Sequence, residues 1–172
     1  MPNSAVTLRM VIAKPGEVDL AALVGARSES APIPHERKPF RELAASLGFD
    51  VLAPRLQGVR MLESGQVGTR TDYYGDFSPG AASTWEYRSR SKVVHLEQRR
   101  ILRSFGPKYF VYGPEIEAYQ TEVAEGLATI VLPRGGDTLC FAIWAKEDSV
   151  ADVTFSWPVK GPVVEEFLAS LG

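Results

Sequence analysis

Three carboxylates stand close together in one short stretch: Asp72 and Asp76 flank Tyr73-Tyr74-Gly75, and Glu86 follows in the next segment. Paired acids raise one another's pKa and can divide the acid and base roles of a proton-transfer reaction. Acids at strand ends more commonly cap turns, so no residue is assigned a catalytic role. The two histidines, His35 and His95, lie sixty residues apart and are too few for a histidine-rich metal centre. Cys140 is the single cysteine, so no internal disulfide and no cysteine-based zinc site can form. Flanked by Leu139 and Phe141, it reads as a small core filler, and one free thiol suits the reducing cytoplasm. The chain carries no G-x-S-x-G, P-loop, G-x-G-x-x-G, H-E-x-x-H or EF-hand signature, and no cofactor is expected.

Binding chemistry is more visible. Between Thr84 and Tyr112 stand seven cations, namely Arg88, Arg90, Lys92, Arg99, Arg100, Arg103 and Lys108. Only Glu86 and Glu97 oppose them, a local excess of five positive charges in a chain whose net charge is −2. The aromatic residues Tyr73, Tyr74, Phe77, Trp85 and Tyr87 precede the arginines. Arginine and aromatic side chains dominate interface energetics, and aromatics interleaved with arginine also stack on bases. The expected function is therefore a non-enzymatic binding protein, immunity- or adaptor-like, that docks another protein. Its candidate surface is Tyr73, Tyr74, Phe77, Trp85, Tyr87, Arg88, Arg90, Lys92, His95, Arg99 and Arg103. Two alternatives use the same residues. One is an enzyme whose arginines hold a phosphorylated or nucleotide substrate, with Asp72, Asp76, Glu86 or His95 moving protons. The other is a single-stranded nucleic-acid binder. Against all three stands the solvated charge run, neutralised by Glu115, Glu117, Glu122 and Glu125 folded beside it.

Composition sets the frame for these readings. With 172 residues, 45% of them hydrophobic and 23% charged, the chain fits one soluble α+β domain over residues 1–172. No secretory signal opens it and no window reaches the length of a bilayer span, so a cytoplasmic protein with no membrane partner is expected.

The elements that must position these residues follow from periodicity and turn chemistry. Strands are expected at residues 5–13, 49–53, 56–62, 67–74, 84–88, 109–112, 127–133, 138–145 and 151–157, with turns at 63–66 and 134–137. Residues 26–38 read as an exposed loop, and so do residues 75–83. A short helix is expected at 18–24 and a second from Pro39 to its stop at Gly48. Lys92, His95, Arg99 and Arg103 fall at spacings of three, four and four, which places a cationic row on a helix over 91–105. A further helix is expected after Pro114, ending at Gly126, and another closes the chain from Gly161. The resulting fold class is a largely antiparallel sheet of six to eight strands with about four helices on one face.

Overall fold

The computed structural model describes residues 6–11, 17–18, 36–72, 75–89, 91–104, 109–112, 116–133 and 140–172. These residues form thirteen strands, two of them only two residues long, and two helices. The protein is thus mostly antiparallel sheet, and the expected set of about four helices is corrected to two among the described residues.

Strand alternation accounts for the largest change. The segment read as a cationic helix is β8, a twelve-residue strand from Val93 to Ser104. Val94, Leu96 and Gln98 point inward in strict alternation. Gln98 looks disqualified for that face by its amide, yet the amide is consumed there: Leu52 N–H donates to Oε1 at 2.7 Å, and Nε2 donates to Leu52 O at 2.8 Å. Beyond it the strand changes neighbour. β7 (Gly80–Tyr87) pairs with Val93 to Gln98, whereas β6 (Gly75–Phe77) pairs with Ile101 to Ser104. Past Gln98 burial changes face: Arg99 and Ile101 stand on the side of the strand that carries Glu97, outside the main core, so the buried positions run 94, 96, 98, 99 and 101 and mimic a helical spacing although the strand keeps its alternation.

The second correction concerns residues 114–126. Ile116–Val123 is strand β10, paired residue by residue with β11 (Gly126–Pro133). Ala124 and Glu125 make the two-residue turn, with φ of 45° and 67°. Positive φ at both positions is what a tight hairpin of right-twisted strands demands. The third concerns the turn expected at 63–66. Strand β4 (Val59–Val67) runs straight through it, held between β7 and the two-residue β3 (Glu36–Arg37). Lys38 N–H donates to Ser64 O at 3.1 Å, and the Ser64 hydroxyl donates to Lys38 O at 2.6 Å, so Ser64 serves a ladder and not a turn. Residues 49–53 are not a strand, and 75–83 is not a loop, since it contains β6 and the start of β7.

The main sheet has the path β10–β11–β12–β13–β8–β7–β4–β3, every pairing antiparallel, where β12 is Cys140–Lys146 and β13 is Ser149–Phe155. A short hairpin of β5 (Arg70–Asp72) and β6 joins it through β8. A separate three-stranded sheet consists of β1 (Val6–Val11), β2 (Glu17–Val18) and β9 (Tyr109–Tyr112). The remainder of the helix expected at 18–24 lies outside the described residues, as do residues 26–35 of the expected loop and the turn at 134–137.

One continuous core fills the inner face. Trp85, Tyr87, Val94, Leu96, Ile130, Val153 and Phe155 supply the sheet side. Helix α2 (Gly161–Ala169) closes it with Val164, Phe167 and Leu168, and Phe167 meets Phe155 edge-on at 5.7 Å. Helix α1 (Phe40–Leu47) adds Phe40, whose ring stands at 82° to Trp85, and it ends where expected, at Gly48 in the left-handed conformation. Truncating a ring such as Phe167, wholly removed from water, costs about 3–5 kcal/mol in a core of this kind. β12 is buried on both faces over Cys140–Ala145, as its unbroken apolar run implies.

Candidate functional site

The strand geometry redistributes the residues singled out above. Trp85 and Tyr87 share one face, as alternation requires, and that face is the core. Trp85 Nε1 donates to Ser83 Oγ at 2.8 Å, which satisfies its one polar group inside the protein. Phe77 is buried opposite Ile101. Tyr73, Tyr74 and Arg90 lie outside the described residues, as does His35.

The cations separate into three kinds. Arg99 is 4% exposed, and its Nη1 donates to Gly68 O and to Ser78 O, the latter at 2.9 Å. Its Nη2 lies 3.5 Å from Glu97. A guanidinium fork is suited to this, since it serves several acceptors at once in fixed directions. Arg99 is thus a structural cation holding the corner between β5, β6 and β8. Arg100 and Arg103 face solvent beside acids, Arg100 at 3.5 Å from Asp148 and Arg103 at 3.0 Å from Asp76. Exposed pairs of this type contribute about 0–1 kcal/mol. Among the described residues the acids beside the β8 arginines are Asp76, Glu97 and Asp148, and Glu115 of the expected acidic run lies outside the described residues. His95 is on the outer face, its Nδ1 3.1 Å from the Thr84 hydroxyl. Of the proposed proton-transfer groups, Asp76 is engaged by Arg103, Glu86 by Arg60 at 3.0 Å, and His95 by Thr84, and the Asp72 side chain lies outside the described residues.

The third kind is the tip of the β7–β8 hairpin, where Arg88 and Lys92 are displayed together. Tyr87 N–H donates to Lys92 O at 2.8 Å, and Lys92 N–H to Ser89 O at 3.1 Å, closing the turn. Arg88 holds φ at 60°, a left-handed conformation unusual for a residue with a Cβ. Its N–H donates to Gly58 O at 2.9 Å, and a Cβ at Gly58 would come within 3.1 Å of the Arg88 Cγ. The Arg88 guanidinium lies 5.3 Å above the Tyr87 ring, and Lys92 Nζ lies 5.7 Å above the Trp157 ring. The two rings are themselves 5.4 Å apart, so cations and rings form one cluster. Such stacking is worth about 0.5–1 kcal/mol per pair at exposed sites. Glu166 approaches Arg88 only at 3.9 Å, and among the described residues no carboxylate is within ion-pair distance of Lys92. Trp157 was not among the sequence candidates. Its only sequence signal is an aromatic residue at the end of a strand, and its neighbour Lys92 is 65 positions away.

A cleft of about 450 Å³ opens elsewhere, between the segment after α1 and the β12–β13 hairpin. Gly48, Phe49, Asp50 and Leu52 form one wall, and Lys146, Glu147, Asp148 and Ser149 the other, with Gln98, Trp144 and Ala151 among the floor residues. Ile101 N–H donates to Asp148 O at 2.8 Å and fixes the hairpin wall to β8. Arg99 and Arg100 border the cleft, but the Arg99 guanidinium is committed to carbonyls and Arg100 to Asp148. Asp76, Glu86 and His95 do not line it. Among the described residues no three His, Cys, Asp or Glu side chains are grouped to hold a metal ion.

The Tyr119 phenol is strongly perturbed. It is pushed up to about 12, first by burial and then by its hydrogen bond to Glu165 at 3.1 Å, with Glu165 and Glu117 adding their negative charge. This contact joins β10 to α2, and neither residue lines the cleft. No helix among the described residues is long and apolar enough to cross a membrane. Comparison with protein-family models, with curated proteins and with solved structures finds no match to this chain.

Proposed function

We propose that this chain is a non-enzymatic, immunity- or adaptor-like binding protein of the cytoplasm, and that it docks an acidic surface of a partner protein through the β7–β8 hairpin tip. The observation that carries this reading is the stacking of Arg88 and Lys92 on Tyr87 and Trp157 at a tip whose backbone is held in a costly conformation. Strained non-glycine residues persist where the surrounding fold enforces them, and they concentrate at binding sites. Cations ordered on rings lose less side-chain freedom on binding than free lysines and arginines do. The candidate surface is thereby narrowed to Arg88 and Lys92 over Tyr87 and Trp157, with Arg99 serving the fold and Arg103 paired to Asp76 away from the tip.

The test is affinity capture from the native cells with the wild-type chain and with the double charge reversal Arg88→Glu/Lys92→Glu. A protein retained by the first and lost by the second, with affinity down about 10–100-fold in titration, supports the reading. Equal retention by both counts against it. Oligonucleotide binding that falls steeply with salt and vanishes in the same variant would move the reading to nucleic acid.

A further inference from the structure

The outer edge of β4 carries a pattern that matches itself. β3 covers β4 only at Gly65 and Gln66, and departs after Lys38, so no described strand continues along the outer side of Arg60-Met61-Leu62-Glu63. Within this segment the ladder to β7 slips, with Met61 opposite Trp85 and Glu63 opposite Thr84, leaving Leu62 as the extra residue of a bulge. Met61 and Leu62 are 39% and 45% exposed, two of the three large exposed hydrophobic side chains among the described residues. A sheet edge presents unpaired N–H and C=O groups and is a template for another strand.

The geometry points to pairing between two copies of this chain through β4, antiparallel about a two-fold axis between Met61 and Leu62. In that register Arg60 of one copy faces Glu63 of the other, twice, and Met61 faces Leu62, twice. A two-fold interface requires such self-complementarity, because the same patch meets itself. Arg60 and Glu63 also fit on one face of the pair, since their β7 partners Glu86 and Thr84 share the outer face. Within one copy Glu86 lies 3.0 Å from Arg60, and Arg37 lies 3.7 Å from Glu63. Pairing extends these contacts into an alternating row in which Glu63 stands between Arg37 and the Arg60 of the second copy. Edges are commonly blunted by charged side chains and by bulges, and β4 carries both. Here the two signs are placed to attract. The interface is small, and the dimer is accordingly weak and reversible.

Sedimentation velocity on the full chain, from about 1 to about 300 µM, tests this in the range where small interfaces associate. The expected result is a concentration-dependent monomer–dimer equilibrium. Arg60→Glu and Glu63→Arg should each raise its midpoint about tenfold or more, through loss of two charge pairs and gain of two repulsions. Arg60→Glu/Glu63→Arg should restore it to within about threefold of wild type, because the swapped charges again face their opposites. Leu62→Lys should abolish the dimer while circular dichroism shows a folded monomer. A wild-type chain that stays monomeric throughout overturns the proposal. So does a dimer indifferent to the single reversals, or a double variant that fails to recover.

Discussion

Gln98 and Leu52, 46 positions apart in sequence, are joined as two residues of neighbouring strands would be: the side-chain amide of one takes both backbone groups of the other, at 2.7 and 2.8 Å. The contact ties an irregular segment to the inner face of the sheet and forms the back of the cleft. Gln98→Ala strands a backbone donor and acceptor in a half-buried setting. Each unsatisfied group costs about 1–3 kcal/mol, so urea melts should show a loss of about 2–4 kcal/mol. Amide exchange should quicken at Leu52 by more than global destabilisation alone produces.

Arg99 answers to a different test from its neighbours. Its guanidinium bridges Gly68 O, Ser78 O and Glu97, and Arg99→Lys keeps the charge but cannot serve three directions at once. Arg99→Met should cost about 3–5 kcal/mol in denaturant melts, and Arg99→Lys should recover less than half of that. Arg103→Met, at a largely exposed pair with Asp76, should cost no more than about 1 kcal/mol. Equal losses at the two positions would refute the assignment of Arg99 as a structural cation.

Tyr119 makes stability fall at high pH. In the folded chain its phenol holds its proton to about 12, against the ordinary value of 10.0. Between those values the unfolded chain gives up this proton and the folded chain does not, so unfolding is favoured as pH rises. The contribution is complete below pH 10 and is lost as pH climbs through about 12. Absorbance titration should show a late-ionising phenol that Tyr119→Phe removes. The same variant should flatten the decline of melting temperature between pH 10 and 12.

The sequence discloses the C-terminal third well. The strands expected at 127–133, 138–145 and 151–157 are β11, β12 and β13, and the closing helix is α2. There the neighbours in space are neighbours in sequence, so local alternation and turn chemistry carry the assignment. β8 defeats the same reasoning. Burial along it switches from one face to the other where β7 gives way to β6, and Gln98 is tolerated inside by a partner in another segment. Neither fact leaves a local trace. Trp85 and Tyr87 are legible as one face of a strand, but whether that face meets water depends on α1 and α2. Trp157 becomes a site residue only because Ser156 bonds to Val93 across the sheet, bringing the end of β13 beside the hairpin tip.

Cys140, buried at the start of β12 and alone in the chain, makes the protein its own reporter. A thiol reagent added to the native protein can label only molecules in which that strand has come loose, so the labelling half-life clocks the opening of the central meander. No introduced probe is needed, and a ligand that tightens the sheet would announce itself as slower labelling.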